Sequence, residues 1–301
     1  MSQPAPAETD AARGAMEERL ATQLEAIVSK RLETDQLVLP ALPAAAVKCL
    51  TLTKQADFAL GDAAAIIDKD PILAAQLIKL ASSAALGARE PIKSVLASVT
   101  RIGVQRLREF LIEASARQLF ASRDRRISEA MQRLWDHARV VAQLARELVA
   151  ASQSGDPDMG YLAGLLHDIG KPVVAALLLE TERSWLATRK GAQWITGAQW
   201  VSVLGRCHQK VGLAIAEKWE MPDPVRRAVR DCAAYEQDDR LSVANCVRLA
   251  NAIAKQEGIY VGEIAKDDVA ALVSAGRELL NVDEQVVSRL TAAIPAMLKD
   301  T

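Results

Sequence analysis

His167 and Asp168 stand side by side at the end of an apolar run, residues 161 to 171, that reads Tyr-Leu-Ala-Gly-Leu-Leu-His-Asp-Ile-Gly-Lys. An imidazole nitrogen and a carboxylate oxygen are both ligands for a divalent metal. Neighbouring side chains on a helix point roughly 100° apart, so the pair can flank one ion lodged in a groove between helices. The chain has 3 histidines, His137, His167 and His208, and each lies in a segment that reads as a helix or a helix end. They are therefore candidates for one shared centre. Gly170 lets the backbone turn after the pair, and Lys171 follows it.

The elements that must position these residues read as helices throughout. Residues 1–13, rich in Pro, Ala and acid, are expected to form a mobile tail. Glu17 to Leu32 carries Leu20, Leu24, Ile27 and Val28 at helical spacing. Pro40 and Pro43 then force an extended stretch. Helices follow over 44–52 and 61–68, and Asp70-Pro71 restarts the next, Asp70 as cap and Pro71 in the first position. A helix entered at Pro91 is expected to end at Ile102-Gly103, with a new one from Leu107 to Leu119. A long amphipathic helix from Ser128 to about Ala151 carries Trp135 and His137, and Gly155-Asp156-Pro157 breaks the chain before the central apolar helix. Further helices are predicted at 173–179, around His208, and at 224–233, 241–256, 268–280 and 283–298, with Asp267 or Asp268 as a cap. No sustained strand alternation is present, so the fold class is all-α.

Composition narrows the function. Half the residues are hydrophobic and the net charge is −1, which fits a globular chain and gives no general attraction to nucleic acid or anionic lipid. The arginines at 101, 106 and 108, at 123, 125 and 126, and at 226, 227 and 230 are read as solvated helix faces in preference to an anion groove. The 4 cysteines, Cys49, Cys207, Cys232 and Cys246, lack CxxC spacing and suit a reducing compartment. No unbroken apolar run suggests a membrane span, and the first residues do not read as a signal peptide, so a cytoplasmic protein is expected. Trp185, Trp194 and Trp200 fit either core or anchors on a partner surface.

Taken in order, several groups of residues form a series over roughly residues 35 to 255. They are Leu39, Pro40, Leu42 and Pro43; Asp70-Pro71 running into Leu73, Leu77, Leu80 and Ser83; Ile92, Ser94, Ala97, Ile102 and Gly103; Trp135 and His137; residues 164–170; and His208, Gly212, Trp219 and Pro222. The series resembles the HDOD family, the signalling-output relatives of the HD metal-dependent phosphohydrolases. In active HD enzymes the ion is held by a first His, the His-Asp pair and a later Asp. The resemblance places these at His137, His167, Asp168 and Asn251, and the last departs from the pattern, because an amide oxygen is a poorer ligand and brings no charge. The two-metal HD-GYP branch adds histidines. His208 resembles one, but the expected His pair falls near Cys232 and Ala233, and the Gly-Tyr-Pro element is missing. Lys171 matches that branch, in which a lysine at this place can stabilise a phosphoryl oxygen.

Two readings of His137, His167 and Asp168 follow. In one they hold a divalent ion (Fe, Mn, Mg or Zn) that activates water for attack on phosphorus, with Lys171 assisting and a nucleotide or cyclic dinucleotide as substrate. In the other they are core groups that hydrogen-bond one another and pin helices together. The expected architecture is two packed helical subdomains: a tail and helix over 1–34, an N-terminal HDOD subdomain over 35–125, an HD-like bundle over 126–256, and C-terminal helices over 257–301 packing on it. The expected function is a non-catalytic output module of bacterial signal transduction that binds other signalling proteins and accepts a metal or nucleotide-type ligand in the HD cleft. Nucleic acid and membrane are not expected partners.

Overall fold

A computed structural model describes residues 22–53, 55, 57–83, 92–188, 197–230, 234–262 and 265–299. The expected tail over 1–13 and the start of the first helix lie outside them, as do Trp194 and Cys232 and the side chain of Trp185. Every regular element among the described residues is an α-helix, as the patterning predicts. The chain divides into two compact units, one built from residues 41–121 and the other from residues 1–40 and 122–301.

The smaller unit contains α2 (Ala44–Leu52), α3 (Leu60–Ile67), α4 (Pro71–Ala81) and α5 (Val95–Leu119). The apolar positions read from the sequence meet in one core, in which Cys49, Ile67, Leu73, Leu77, Val99, Leu107 and Leu111 are buried. Asp70 caps α4 as expected: its side chain accepts from the backbone N–H groups of Ile72 and Leu73, both at 3.1 Å, and Pro71 occupies the first position. The two helices expected on either side of Gly103 are present as the two halves of α5, which is broken by a kink at that glycine. Gly103 sits at φ 73°, which a residue without Cβ adopts without strain, and helical hydrogen bonding resumes beyond it.

The larger unit holds α1 (residues 22–33), α6 (Arg125–Ser152), α7 (Pro157–Leu166), α8 (Gly170–Thr188), α9 (Gly197–Lys218), α10 (Asp223–Arg230), α11 (Val243–Gln256), α12 (Lys266–Leu280) and α13 (Glu284–Lys299). Asp156 caps α7 by accepting from Asp158 N–H at 2.9 Å, with Pro157 in the first position. The capping expected of Asp267 or Asp268 is not seen. Ala265 is the cap residue of α12 and offers no side-chain acceptor, while both acids lie in the first turn, where the helix dipole favours negative charge. The extended stretch before Pro43 is tied down within this unit: Trp219 Nε1 donates to the Pro40 carbonyl at 3.0 Å and Lys218 Nζ to that of Leu39 at 2.9 Å.

The apolar stretch over Pro157–Ser184 is long enough by composition to cross a bilayer, but 83% of its most apolar window is buried inside the protein. It spans α7 and α8, and all of residues 160–166 are buried. The burial explains why this stretch lacks an amphipathic pattern: a helix covered on all sides has no polar face to show.

Candidate metal centre

The centre is built at the elbow between α7 and α8. α7 can lie directly against α6 because it presents glycine where they cross. A Cβ on Gly164 would stand 2.7 Å from Ala142 Cα and 2.8 Å from the Val141 carbonyl oxygen, and one on Gly160 would stand 2.9 Å from the Ala145 carbonyl oxygen. This backbone contact carries His167, the last cap of α7, to His137 on the buried face of α6, with ring centroids 5.2 Å apart. The third approach is made through Gly170. Its φ is not in the left-handed region, so its role is not the turn expected from the sequence but space: a Cβ there would stand 1.9 Å from the His208 carbonyl oxygen and 2.7 Å from Gly212 N. α9 passes over that point and sets His208 against Asp168.

The Asp168 carboxylate is the hub. Its Oδ2 lies 3.2 Å from His167 Nε2 and 3.7 Å from His137 Nε2 and accepts from Lys171 Nζ, while its Oδ1 lies 3.2 Å from His208 Nε2. One ligand atom from each of His137, His167 and Asp168 lies within 4.8 Å of the others. All of these groups are shut from solvent: His137 and His167 are 0% exposed, Asp168 4%, Lys171 5% and His208 8%. Asn251, on α11, is also buried, and its Oδ1 has no hydrogen-bond partner among the described residues.

The far side of each imidazole is held by the backbone. His137 Nδ1 meets the Ile259 carbonyl at 2.6 Å, His167 Nδ1 that of Gly164 at 2.7 Å, and His208 Nδ1 those of Leu204 and Gly205 at 2.9 Å. A carbonyl can only accept, so each Nδ1 must carry the proton, and in the neutral ring each Nε2 then turns a lone pair toward the carboxylate. Lone pairs aimed at a carboxylate repel unless a cation stands among them. The donor set therefore fits a divalent ion: imidazole nitrogens fixed in one tautomer by backbone acceptors, and a carboxylate. Such an ion, held by His137, His167 and Asp168 with His208 and Asn251 in reserve, would supply Lewis acidity.

Burial first, and then repulsion from His167 when that ring is protonated, push His137 down to about 3. Burial opposes ionisation of Asp168, but once the rings are protonated the charges of His167 and Lys171 and hydrogen bonds from His167 and His208 outweigh it and hold the carboxyl well below its usual range. Both groups take up protons more readily in the unfolded chain, His137 below about 6.5 and Asp168 below about 3.9, so stability falls as pH falls. The His137 share amounts to at most about 3 kcal/mol by pH 4. The urea midpoint followed by tryptophan fluorescence is expected to drop between pH 6.5 and 4, and His137→Gln should flatten that segment. A wild-type midpoint constant over this window would contradict the burial of a neutral His137.

Sequence reasoning missed the roof of the centre. The connection after α11 turns at Gly258 (φ 77°) and Gly262 (φ 125°), and between them Ile259 supplies the carbonyl for His137. Tyr260 stands edge-on to His137 with centroids 5.6 Å apart, and Lys171 Nζ and Lys255 Nζ lie 5.0 and 4.8 Å from its ring centroid. A backbone carbonyl leaves no mark in a sequence; the two glycines were the available signal. Several of the arginines are held by partners. Arg106 pairs with Glu109, Arg126 with Asp124 and Glu182, and Arg227 with Glu236 and Asp239, while Arg108 donates to Thr53.

The HDOD domain family model matches residues 39–235, more than half of the chain, and the protein belongs to that family. A structure from Shewanella amazonensis SB2B, provisionally named a metal-dependent phosphohydrolase, superposes with a TM-score of 0.70 at 22% identity, covering 92% of this chain and 99% of that one. An HDOD domain protein of unknown function from Geobacter sulfurreducens gives 0.63 at 21% identity, covering 90% and 97%. At these identities the likeness is one of fold. An uncharacterized protein of Treponema pallidum (strain Nichols) is 26% identical over 214 residues, 69% of this chain, and the chain spans only 39% of that relative's length.

Proposed function

We propose that this protein is a non-catalytic regulatory module of bacterial signal transduction, acting in the cytoplasm by binding other signalling proteins, with a buried His/Asp centre that accepts a divalent ion as a fixture of the helix bundle. The observation that carries this reading is the closure of the centre, where no ligand residue is more than 8% exposed. Hydrolysis at a metal needs the scissile phosphate and an attacking water beside the ion. Here the ligand atoms face one another, under Ile259 and Tyr260. The neutral Asn251, at the place where the HD enzymes have a carboxylate, points the same way, as do the free, buried Cys49, Cys207 and Cys246 for a reducing compartment.

A second reading, a phosphohydrolase or phosphodiesterase acting on a nucleotide or cyclic dinucleotide, is favoured by the lysine beside the His-Asp pair, since Lys171 is charged and close to any ion held there. The two readings part in one assay. Protein supplied with Mn²⁺ or Fe²⁺ is expected to release no phosphate or linear nucleotide from phosphomonoesters and cyclic dinucleotides beyond an Asp168→Asn control, and to co-purify with a signalling protein from its native cytoplasm. Turnover that disappears in the control would establish the enzyme instead.

A further inference from the structure

Lys171 sits in an unusual place for a helper of a metal ion. Its ammonium does not stand off the centre; it lies on Asp168 Oδ2, the oxygen on which His167 Nε2 and His137 Nε2 also converge. A metal bound by that carboxylate and those rings would take the same oxygen at roughly 2.0–2.2 Å. An ammonium already on the oxygen would then be a close neighbour of the ion, a like charge in a setting shut from bulk solvent, since Lys171 and Asp168 are 5% and 4% exposed. Repulsion of that kind is strong in a buried setting. The helix fixes the arrangement, because Asp168 and Lys171 are three residues apart and the Lys171 N–H donates to the Asp168 carbonyl at 2.9 Å in the first turn of the elbow.

We propose that Lys171 is a resident counter-ion that occupies the metal's place: it balances the Asp168 carboxylate when no ion is bound, and it must leave that oxygen before a divalent ion can enter. The side chain has a second partner that does not depend on the carboxylate. Nζ already lies over the Tyr260 ring, 5.0 Å from its centroid, so the ammonium can slide off the carboxylate while keeping the attraction of the ring face. Lys171 thereby sets the affinity of the centre for metal and links its occupancy to the connection that carries Tyr260. The inference rests on the reading of the centre as an ion site; it is indifferent to whether the loaded protein turns anything over.

The test is direct titration with Mn²⁺, using a chromophoric chelator as competitor, on wild type, Lys171→Met and Lys171→Gln. Methionine keeps the length of the side chain without charge, and glutamine keeps an N–H for Asp168 should the methionine variant fail to fold. The uncharged variants are expected to bind Mn²⁺ at least tenfold more tightly than wild type, and Mn²⁺ should raise their melting temperature more. Equal or weaker binding in the variants, or no binding by any of the proteins, would overturn the proposal. A phosphoester assay on the same samples separates the two claims, because turnover would refute the non-catalytic reading while leaving the order of affinities to decide this one.

Discussion

Gly170→Ala is expected to be the most damaging small substitution in the larger unit. The added methyl would stand 1.9 Å from the His208 carbonyl oxygen and 2.7 Å from Gly212 N, and both are backbone atoms of a long helix that no rotamer change can move. Relief requires α9 to shift away from the start of α8, which opens the core between them and carries His208 away from Asp168. Overpacking of an ordinary core costs about 1–3 kcal/mol. Contact with rigid backbone at this distance should exceed that range, to more than about 3 kcal/mol. Gly205→Ala on the same α9 is the matched control: its Cβ would meet nothing within 4 Å, and helix propensity predicts a gain of up to about 1 kcal/mol. Urea unfolding measures both cleanly, because all 5 tryptophans lie in the larger unit and none in residues 41–121. Equal midpoints for the two variants would show that α8 and α9 do not cross as described.

The second large effect concerns charge. Asp168→Asn keeps the shape of the side chain but leaves the buried Lys171 ammonium facing a neutral amide. Breaking a buried pair by removing one partner costs about 3–5 kcal/mol, because the remaining charge has lost both water and its counter-ion. Removing both charges avoids that penalty, so Asp168→Asn combined with Lys171→Met is expected to recover most of the loss. The pairing energy follows from the double-mutant cycle on denaturation midpoints. Simple additivity of the two single losses would mean that Asp168 is balanced by the histidines and that Lys171 contributes little. The cycle apportions the balance among Lys171 Nζ, His167 Nε2 and His208 Nε2, which all reach the same carboxylate.

Both expectations concern a site whose candidate residues were legible before any fold was known, and the division between what could and could not be read has a physical basis. Local signals act within a few residues. Asp70 before Pro71 and Asp156 before Pro157 announce helix starts, because capping and proline chemistry are satisfied by the next turn of the same chain. Apolar spacing announces a buried face, as on α6, whose Leu134, His137, Ala138, Val141 and Leu144 turn inward together. Chemistry shows in the same way: 3 histidines and one His-Asp pair leave few alternatives.

The sequence by itself therefore determined the all-α class and the starts of most helices and marked candidate residues for the centre, since each depends on side-chain type and on neighbours close along the chain. Only the tertiary structure decided why Gly164 and Gly170 must be glycine, that His208 joins the hub, that the Ile259 carbonyl fixes His137, and that Lys171 lies on the very oxygen a metal would use. These depend on distances between segments far apart in sequence, His137 and Ile259 being 122 residues apart. Such distances are set by how closely helix backbones pack, which no local pattern encodes.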